Sequence, residues 1–274
     1  VSAAPRNPAP EAPAPEAPAA VVPTPEGPAL AVPARAAAVP AATASARPAA
    51  PGPASAAPHI VWDWNGTLLH DIDAVIAATN ASFAELGLAP ITLERYRELY
   101  VVPVPKFYER LMGRLPTDAE WLVMDEAFHR HYWAAAEDAG LAEGARELLR
   151  DWQEGGLTQS LLSLAPHDKL VPLVRAHGID THFLRVDGRT GPSHTTKAGH
   201  LVRHLAALDG TGVTAGRTVL IGDAVDDALA AAHVGARAVL YTGGSHSRGS
   251  LESAGVPVVD SLAEAVRTAR ELAG

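Results

Sequence analysis

The chain contains no cysteine. That excludes disulfide scaffolding, a thiol nucleophile and a cysteine-based zinc site. Lysine is nearly missing: Lys106, Lys169 and Lys197 are the only three, and the rest of the 22 basic residues are arginine. Aromatic residues fill only 5% of the 274 positions. No apolar run approaches the roughly 18 residues that a membrane-spanning helix needs, so no membrane partner is expected. An excess of positive charge is also absent. The formal net charge is −9, and a phosphate backbone needs a basic surface, so nucleic acid is not an expected partner. The opening residues lack a basic start followed by an apolar stretch. No secretory leader is therefore expected, and the expected location is cytoplasmic.

What is abundant is Ala, Pro and Gly. Residues 1–58 are almost all Ala and Pro. Proline interrupts regular helix and supplies no N–H to a sheet. Ala side chains bury too little area to offset the entropy of ordering. This stretch reads as a disordered, partly polyproline-II tail, acting as a spacer or as a docking arm. Its three Glu (Glu11, Glu16, Glu26) balance its three Arg (Arg6, Arg35, Arg47), so the whole negative charge belongs to residues 59–274.

Organisation begins at His59. HIVWDW is a short apolar, β-branched run closed by Asn65-Gly66, which reads as a buried strand. Residues 72–140 read as helices. Ile72, Ile76, Thr79, Phe83 and Leu86 recur at helical steps, and Thr117 with Glu120 forms a capping box ahead of Trp121, Met124 and Phe128. From residue 141 onward strand and helix alternate. LTQSLLSLA, HFLRVDG, TVLIGD and ARAVLYTGG read as strands two to five, with helices at 145–153, 167–176, 196–208 and 226–233 between them. VPVVD and a last helix at 262–272 follow. The pattern predicts an α/β fold: an open, mostly parallel Rossmann-like sheet with helices on both faces. The expected organisation is a tail at 1–58, an α/β core at 59–71 and 141–274, and an inserted α-helical cap at 72–140.

In such a sheet the ligand sits at the carboxyl ends of the strands. Strand one ends in Asp63, strand two in Ser163, and strand four in Gly222-Asp223, followed by Asp227. Carboxylates beside buried strands are costly unless something binds them. Two of them converging on one crevice suit a hard divalent cation, most simply Mg2+. Lys197, opening the helix before strand four, and a hydroxyl at the same rim suit a phosphate group. A carboxylate placed beside such an ion can also attack phosphorus and form a covalent intermediate.

These residues carry a resemblance. DWNGTLL resembles the first motif of the haloacid-dehalogenase-like (HAD) phosphatases, Asp-x-Asp-Gly-Thr-(Leu/Val). LLS at Ser163, TTKAGHL at Lys197 and LIGDAVDDALAA at Asp223 and Asp227 resemble the second, third and fourth. The four stand in the family's order across residues 59–274, and the helical insert resembles the cap of phosphoglycolate-phosphatase-like members. The resemblance implies a phosphoric monoester hydrolase acting on a small phosphorylated metabolite. Asp63 would be the nucleophile and an Mg2+ ligand, and the Asn65 carbonyl, Asp223 and Asp227 would complete the metal set. Thr67 and Ser163 would bind the phosphoryl oxygens, and Lys197 would neutralise the charge shared by nucleophile and phosphate. Asp226 reads as a solvated neighbour of Asp227.

One position departs from the pattern. The family's second Asp, which protonates the leaving oxygen and then deprotonates water, is Asn65 here. An amide can do neither, although its backbone carbonyl can still bind metal. Three readings stay open: a phosphatase for substrates whose leaving group needs no proton; a proton supplied by another group, with His70 nearest in sequence; or a regulatory protein that binds a phosphorylated ligand with little turnover. Dehalogenation fits less well, because Asp223 and Asp227 imply a metal site. Phosphonate cleavage would need a cap lysine, for which Lys106 is the only candidate. Lys106, Tyr108 and Arg110 are the candidate specificity residues of the cap.

Overall fold

The computed structural model describes residues 57–101, 104–191 and 196–274. The Ala/Pro-rich tail, apart from its last two residues, lies outside them. In chain order the elements are β1 (His59–Trp62), α1 (Ile72–Glu85), α2 (Leu93–Leu99), α3 (Val104–Met112), α4 (Asp118–Ala136), α5 (Ala145–Glu154), β2 (Thr158–Pro166), α6 (His167–Ala176), β3 (Val186–Arg189), α7 (Lys197–Ala207), β4 (Thr218–Gly222), α8 (Val225–Val234), β5 (Arg237–Tyr241), α9 (Arg248–Glu252), β6 (Val258–Val259) and α10 (Leu262–Ala273).

The strands lie in the order β3-β2-β1-β4-β5-β6, and every pairing is parallel. The chain therefore winds outward from β1 to β3, crosses back, and winds out from β4 on the other side. That reversal opens a crevice at the carboxyl ends of β1 and β4, because the connections leave these strands toward opposite faces.

The strands are apolar on both sides, and their two-residue period divides the core into two layers. Ile60, Trp62, Leu161, Val219 and Ile221 pack with Leu149 and Trp152 of α5, Leu170 and Val174 of α6, and Val266 and Ala269 of α10. Val61, Leu162, Leu220 and Leu240 face the other way, onto Leu201 of α7, Ala228 and Ala231 of α8, and Leu251 of α9. Trp62 has no exposed surface, and its indole N–H donates to Gln159 Oε1 at 2.9 Å. Truncating such a residue to Ala costs about 3–5 kcal/mol.

Helices α1 to α4 build a separate apolar cluster around Phe83, Tyr96, Phe107, Met124 and Tyr132. The Thr117–Glu120 capping box is formed in both directions at the start of α4, a device worth about 1 kcal/mol.

Two local expectations need correction. The third strand starts at Val186 rather than His182, because Asp180–His182 forms a single 3-10 turn and pairing to β2 begins only at Leu184, whose N–H donates to Gln159 O. The short helix α9 was not expected. Its signal was present, since Ser247 caps it by accepting from the Ser250 N–H at 3.3 Å.

Candidate active site

The site forms where β1 and β4 end side by side. Trp62 is paired with Ile221, and the Asp63 N–H donates to Ile221 O at 2.9 Å. Asp63 thus directly follows β1 and Asp223 directly follows β4, on adjacent strands. Asp227 reaches the same point from the first turn of α8, where its Oδ2 also accepts from the Ala224 N–H at 3.0 Å. One residue therefore caps the helix and turns its other oxygen toward the crevice.

The three buried carboxylates each offer an oxygen within 4.8 Å of the others. Burial pushes Asp63 up to about 7, with Lys197 opposing the shift and Asp227 adding to it. Asp223 is also raised, first by burial and then by the charges of Asp63 and Asp227. The buried Lys197 ammonium bridges Asp63 and Asp227. Burial works against that charge, but the two carboxylates outweigh it and hold Lys197 above its usual range. An oxygen-only set of three crowded carboxylates, left with one cation among them, fits a hard divalent metal.

The backbone makes room for this crowding. Gly66 has φ +70°, and a Cβ there would stand 2.7 Å from Asp223 Oδ2. At Gly222 a Cβ would stand 2.1 Å from Asp227 Oδ2. Neither position tolerates a side chain while both carboxylates keep their places.

Thr67 is fully buried and its hydroxyl donates to Asp63 Oδ2 at 3.3 Å. Ser163 lines the cavity above Asp63, accepting from the Ala165 N–H at 3.0 Å and donating to Asn65 Oδ1 at 3.3 Å. The Asn65 amide donates to Asp71 Oδ2 at 2.9 Å and to the Tyr132 hydroxyl at 2.5 Å. Tyr132 in turn donates to Asp71 at 2.6 Å, and the Gly66 N–H supplies a further bond to Asp71 at 2.8 Å. Burial raises Asp71, against the hydrogen bonds from Tyr132 and Asn65. Asp71 and Tyr132 were not recognised in the sequence, where a buried Asp after a loop and a Tyr on a helix look ordinary.

The structure relocates several other residues. His70, the candidate proton donor, is exposed and does not line the cavity. Asp226 is not a solvated neighbour: its Oδ2 accepts from the Lys197 N–H at 2.8 Å and so caps the helix that presents the lysine. Lys106 is exposed and pairs with Glu109 at 3.0 Å, while Arg110 donates to Leu99 O at 3.3 Å. Neither lines the cavity; of the three named specificity residues, only Tyr108 does. A loop after β5, also unrecognised, completes the site. The Ser245 N–H donates to Asp223 Oδ2 at 2.7 Å, and Arg97 of α2 donates to the Gly244 and Gly243 carbonyls at 2.9 and 3.2 Å.

A parallel sheet whose switch point carries clustered carboxylates and a buried lysine defines an α/β architecture suited to a metal ion and anionic groups. The model of the haloacid dehalogenase-like hydrolase family matches residues 58–235, and the chain belongs to that family. It is 26% identical over 209 residues to the phosphoglycolate phosphatase of Pseudomonas fluorescens Pf0-1, covering 74% of this chain and 76% of that one. It is 28% identical over 194 residues to a phosphoglycolate phosphatase of Cereibacter sphaeroides ATCC 17025, covering 68% and 86%. A crystal structure titled a putative phosphoglycolate phosphatase, from Lactobacillus delbrueckii, superposes with a TM-score of 0.67 at 19% identity, over 79% of this chain and 99% of that one. At that identity the likeness concerns the fold. Among the described residues no helix is long and apolar enough to cross a membrane.

Proposed function

We propose that this hydrolase is a phosphatase for a small phosphorylated metabolite, with Mg2+ as its cofactor and Asp63 as its nucleophile. The observation that carries the reading is the convergence of Asp63, Asp223, Asp227 and Lys197 at the sheet's switch point, beneath a cavity. Its domain reading takes 59–71 and 141–274 as the core, 72–140 as the cap over the cavity, and 1–58 as a tail without a part in the chemistry.

Asp63, Asp223, Asp227 and the Asn65 carbonyl would hold the ion. When bound, it supplies positive charge against the phosphoryl oxygens and the carboxylates. Asp63 attacks phosphorus, forming a P–O bond to its carboxylate while the ester P–O bond breaks and the leaving oxygen departs with its electron pair. Water then attacks the aspartyl-phosphate, the P–O bond to Asp63 breaks, and inorganic phosphate leaves. Lys197 holds the Asp63 carboxylate in place and offsets the charge that builds between it and the phosphoryl group. Ser163 donates to a phosphoryl oxygen, and Thr67 steadies Asp63 from behind. Asn65 neither gives nor takes a proton, so the leaving group departs on its own basicity. That deficit favours a second reading, a phosphoryl-ligand binding protein with little turnover.

Phosphate release from a panel of esters, with Mg2+ and then with EDTA, tests the reading. Turnover with Mg2+ that EDTA removes, and that Asp63→Asn abolishes in a folded protein, is the expected result. Metal-independent turnover, or Asp63→Asn activity above about a tenth of wild type, would sink it. Tight phosphate-analogue binding without turnover would select the second reading.

A further inference from the structure

The cavity above Asp63 has a volume of about 290 Å3, at the small end for a ligand site. Its walls differ sharply in chemistry. The core contributes the carboxylates, Ser163, Lys197 and Arg189. The insert contributes rings. Eight of the chain's fourteen aromatic residues line this one cavity, in a protein otherwise poor in them. Tyr100, Trp121, Phe128 and Trp133 are only half-buried, so part of each ring stays open. Phe128 lies parallel to Tyr132, with ring centres 5.5 Å apart, and Tyr132 reaches Asn65 at the acid–base position.

The insert offers no Lys or Arg to this cavity among the described residues. It offers Asp125 instead, and His129, whose Nδ1 is bonded to the Asp125 carbonyl at 2.7 Å, while Asp71, at the end of the core's first segment, lines the same cavity. A leaving group bearing its own carboxylate and turned toward the insert would meet acid and rings there, because Arg189 and Lys197 lie on the core side of the cavity. An aromatic leaving group would meet ring faces, which favour stacked and edge-on partners.

A second, independent observation points the same way. With Asn65 in place of an acid, the leaving oxygen must depart without a proton from that residue. A phenolate is a far weaker base than an alkoxide and departs more readily.

We propose that this site takes phosphate esters whose leaving group is a single aromatic ring, seated between the rings of the insert with its phosphate over Asp63. The proposal rests on the phosphatase reading above for its chemistry and on the cavity for its selectivity. The site discriminates against small carboxylated alcohols, the class named for the relatives. Trp133 and Phe128 are the residues that read the ring.

Binding of phosphonates, which do not hydrolyse, separates the two. Calorimetry with Mg2+ present compares phenylphosphonate, methylphosphonate and phosphonoacetate on the full chain. Phenylphosphonate is expected to bind roughly tenfold tighter than either of the others, a factor in the range of one or two aromatic pairs. Trp133→Leu and Phe128→Leu are expected to shrink that preference severalfold, and Trp133→Phe to retain most of it. Phosphonoacetate binding as tightly as phenylphosphonate, no binding of any of the three, or a preference that both leucine variants leave intact would each overturn the inference. Hydrolysis of phenyl, methyl and carboxymethyl phosphate runs beside it. Failure to release phosphate from all three refutes the phosphatase reading while leaving the binding preference to be judged separately. Faster release from the carboxymethyl ester than from the phenyl ester refutes the inference alone.

Discussion

Replacing Asn65 with Asp tests the chemistry at the position where the first motif departs from its family. The Asn65 amide donates to Asp71 at 2.9 Å and to Tyr132 at 2.5 Å, and Ser163 donates to its oxygen at 3.3 Å. An Asp of the same shape puts a second carboxyl against Asp71, which burial already pushes up. Two carboxyls at that separation cannot both ionise at low cost, so they share a proton. The shared proton lies at the cavity wall, where a leaving oxygen can take it. General acid–base help is worth about 10²–10⁴ in rate. Asn65→Asp should therefore raise kcat/KM for methyl phosphate by about that factor, and much less for phenyl phosphate, whose leaving group scarcely needs the proton. The sign of the stability effect follows from the same pair. A carboxyl with a raised folded-state pKa stabilises the fold below the unfolded value, near pH ~4, and that contribution fades as pH rises through the folded value. The variant should accordingly lose more stability at pH 8 than at pH 5, by roughly 1–3 kcal/mol. Asn65-Gly66 is a deamidation-prone pair, so the intact mass of the peptide spanning it belongs in the assay. Equal gains for methyl and phenyl phosphate, or no gain for either, would refute the missing-acid argument.

Three further outcomes are expected. His59 is buried between Thr158 and Ser160, each 2.8 Å from its ring, and burial with nearby His204 pushes it down to about 3. The folded state then binds fewer protons than the unfolded chain, so stability should fall below pH ~6.5 by roughly 1 kcal/mol per pH unit, read from urea melts at pH 7 and 5; a flat profile would show that this network is not buried. Arg97→Ala removes the two bonds to the loop that holds Asp223 through Ser245, and should cost about 1–3 kcal/mol and weaken Mg2+ dependence severalfold, whereas unchanged melting and metal response would exclude that bracing. Deleting residues 1–57 should leave Tm and turnover nearly unchanged, because Ala and Pro bury little apolar surface; a drop of several degrees would show that the tail packs on the domain.

Much of the architecture was readable from order along the chain. Short apolar runs located β1, β2, β4 and β5, β-branched in β1, β4 and β5 and opened by Gly155-Gly156 ahead of β2, because burial on both faces leaves a continuous signal. Asp63 and Asp223 were readable for the same reason: each is the residue that ends such a run, and a parallel sheet brings strand ends together. The capping box at Thr117 was visible because it is a contact across three residues.

Contacts far apart in sequence were legible only in outline, through the order of the strands and the resemblance of the motifs, and their geometry not at all. Only the strand order β3-β2-β1-β4-β5-β6 puts β1 beside β4, and only that adjacency crowds Asp63, Asp223 and Asp227 around Lys197. Asp226 became a cap for α7 because α7 and α8 pack together, 29 residues away along the chain. Tyr132 meets Asn65 and Asp71 across 67 and 61 residues, a meeting set by how α4 lies against the loop after β1. Helical periodicity says which side of a helix is apolar, but not which rings close a core and which line a cavity. Packing of the insert over the sheet decided that: it buried Phe107 and left Trp121, Phe128 and Trp133 half open above the carboxylates.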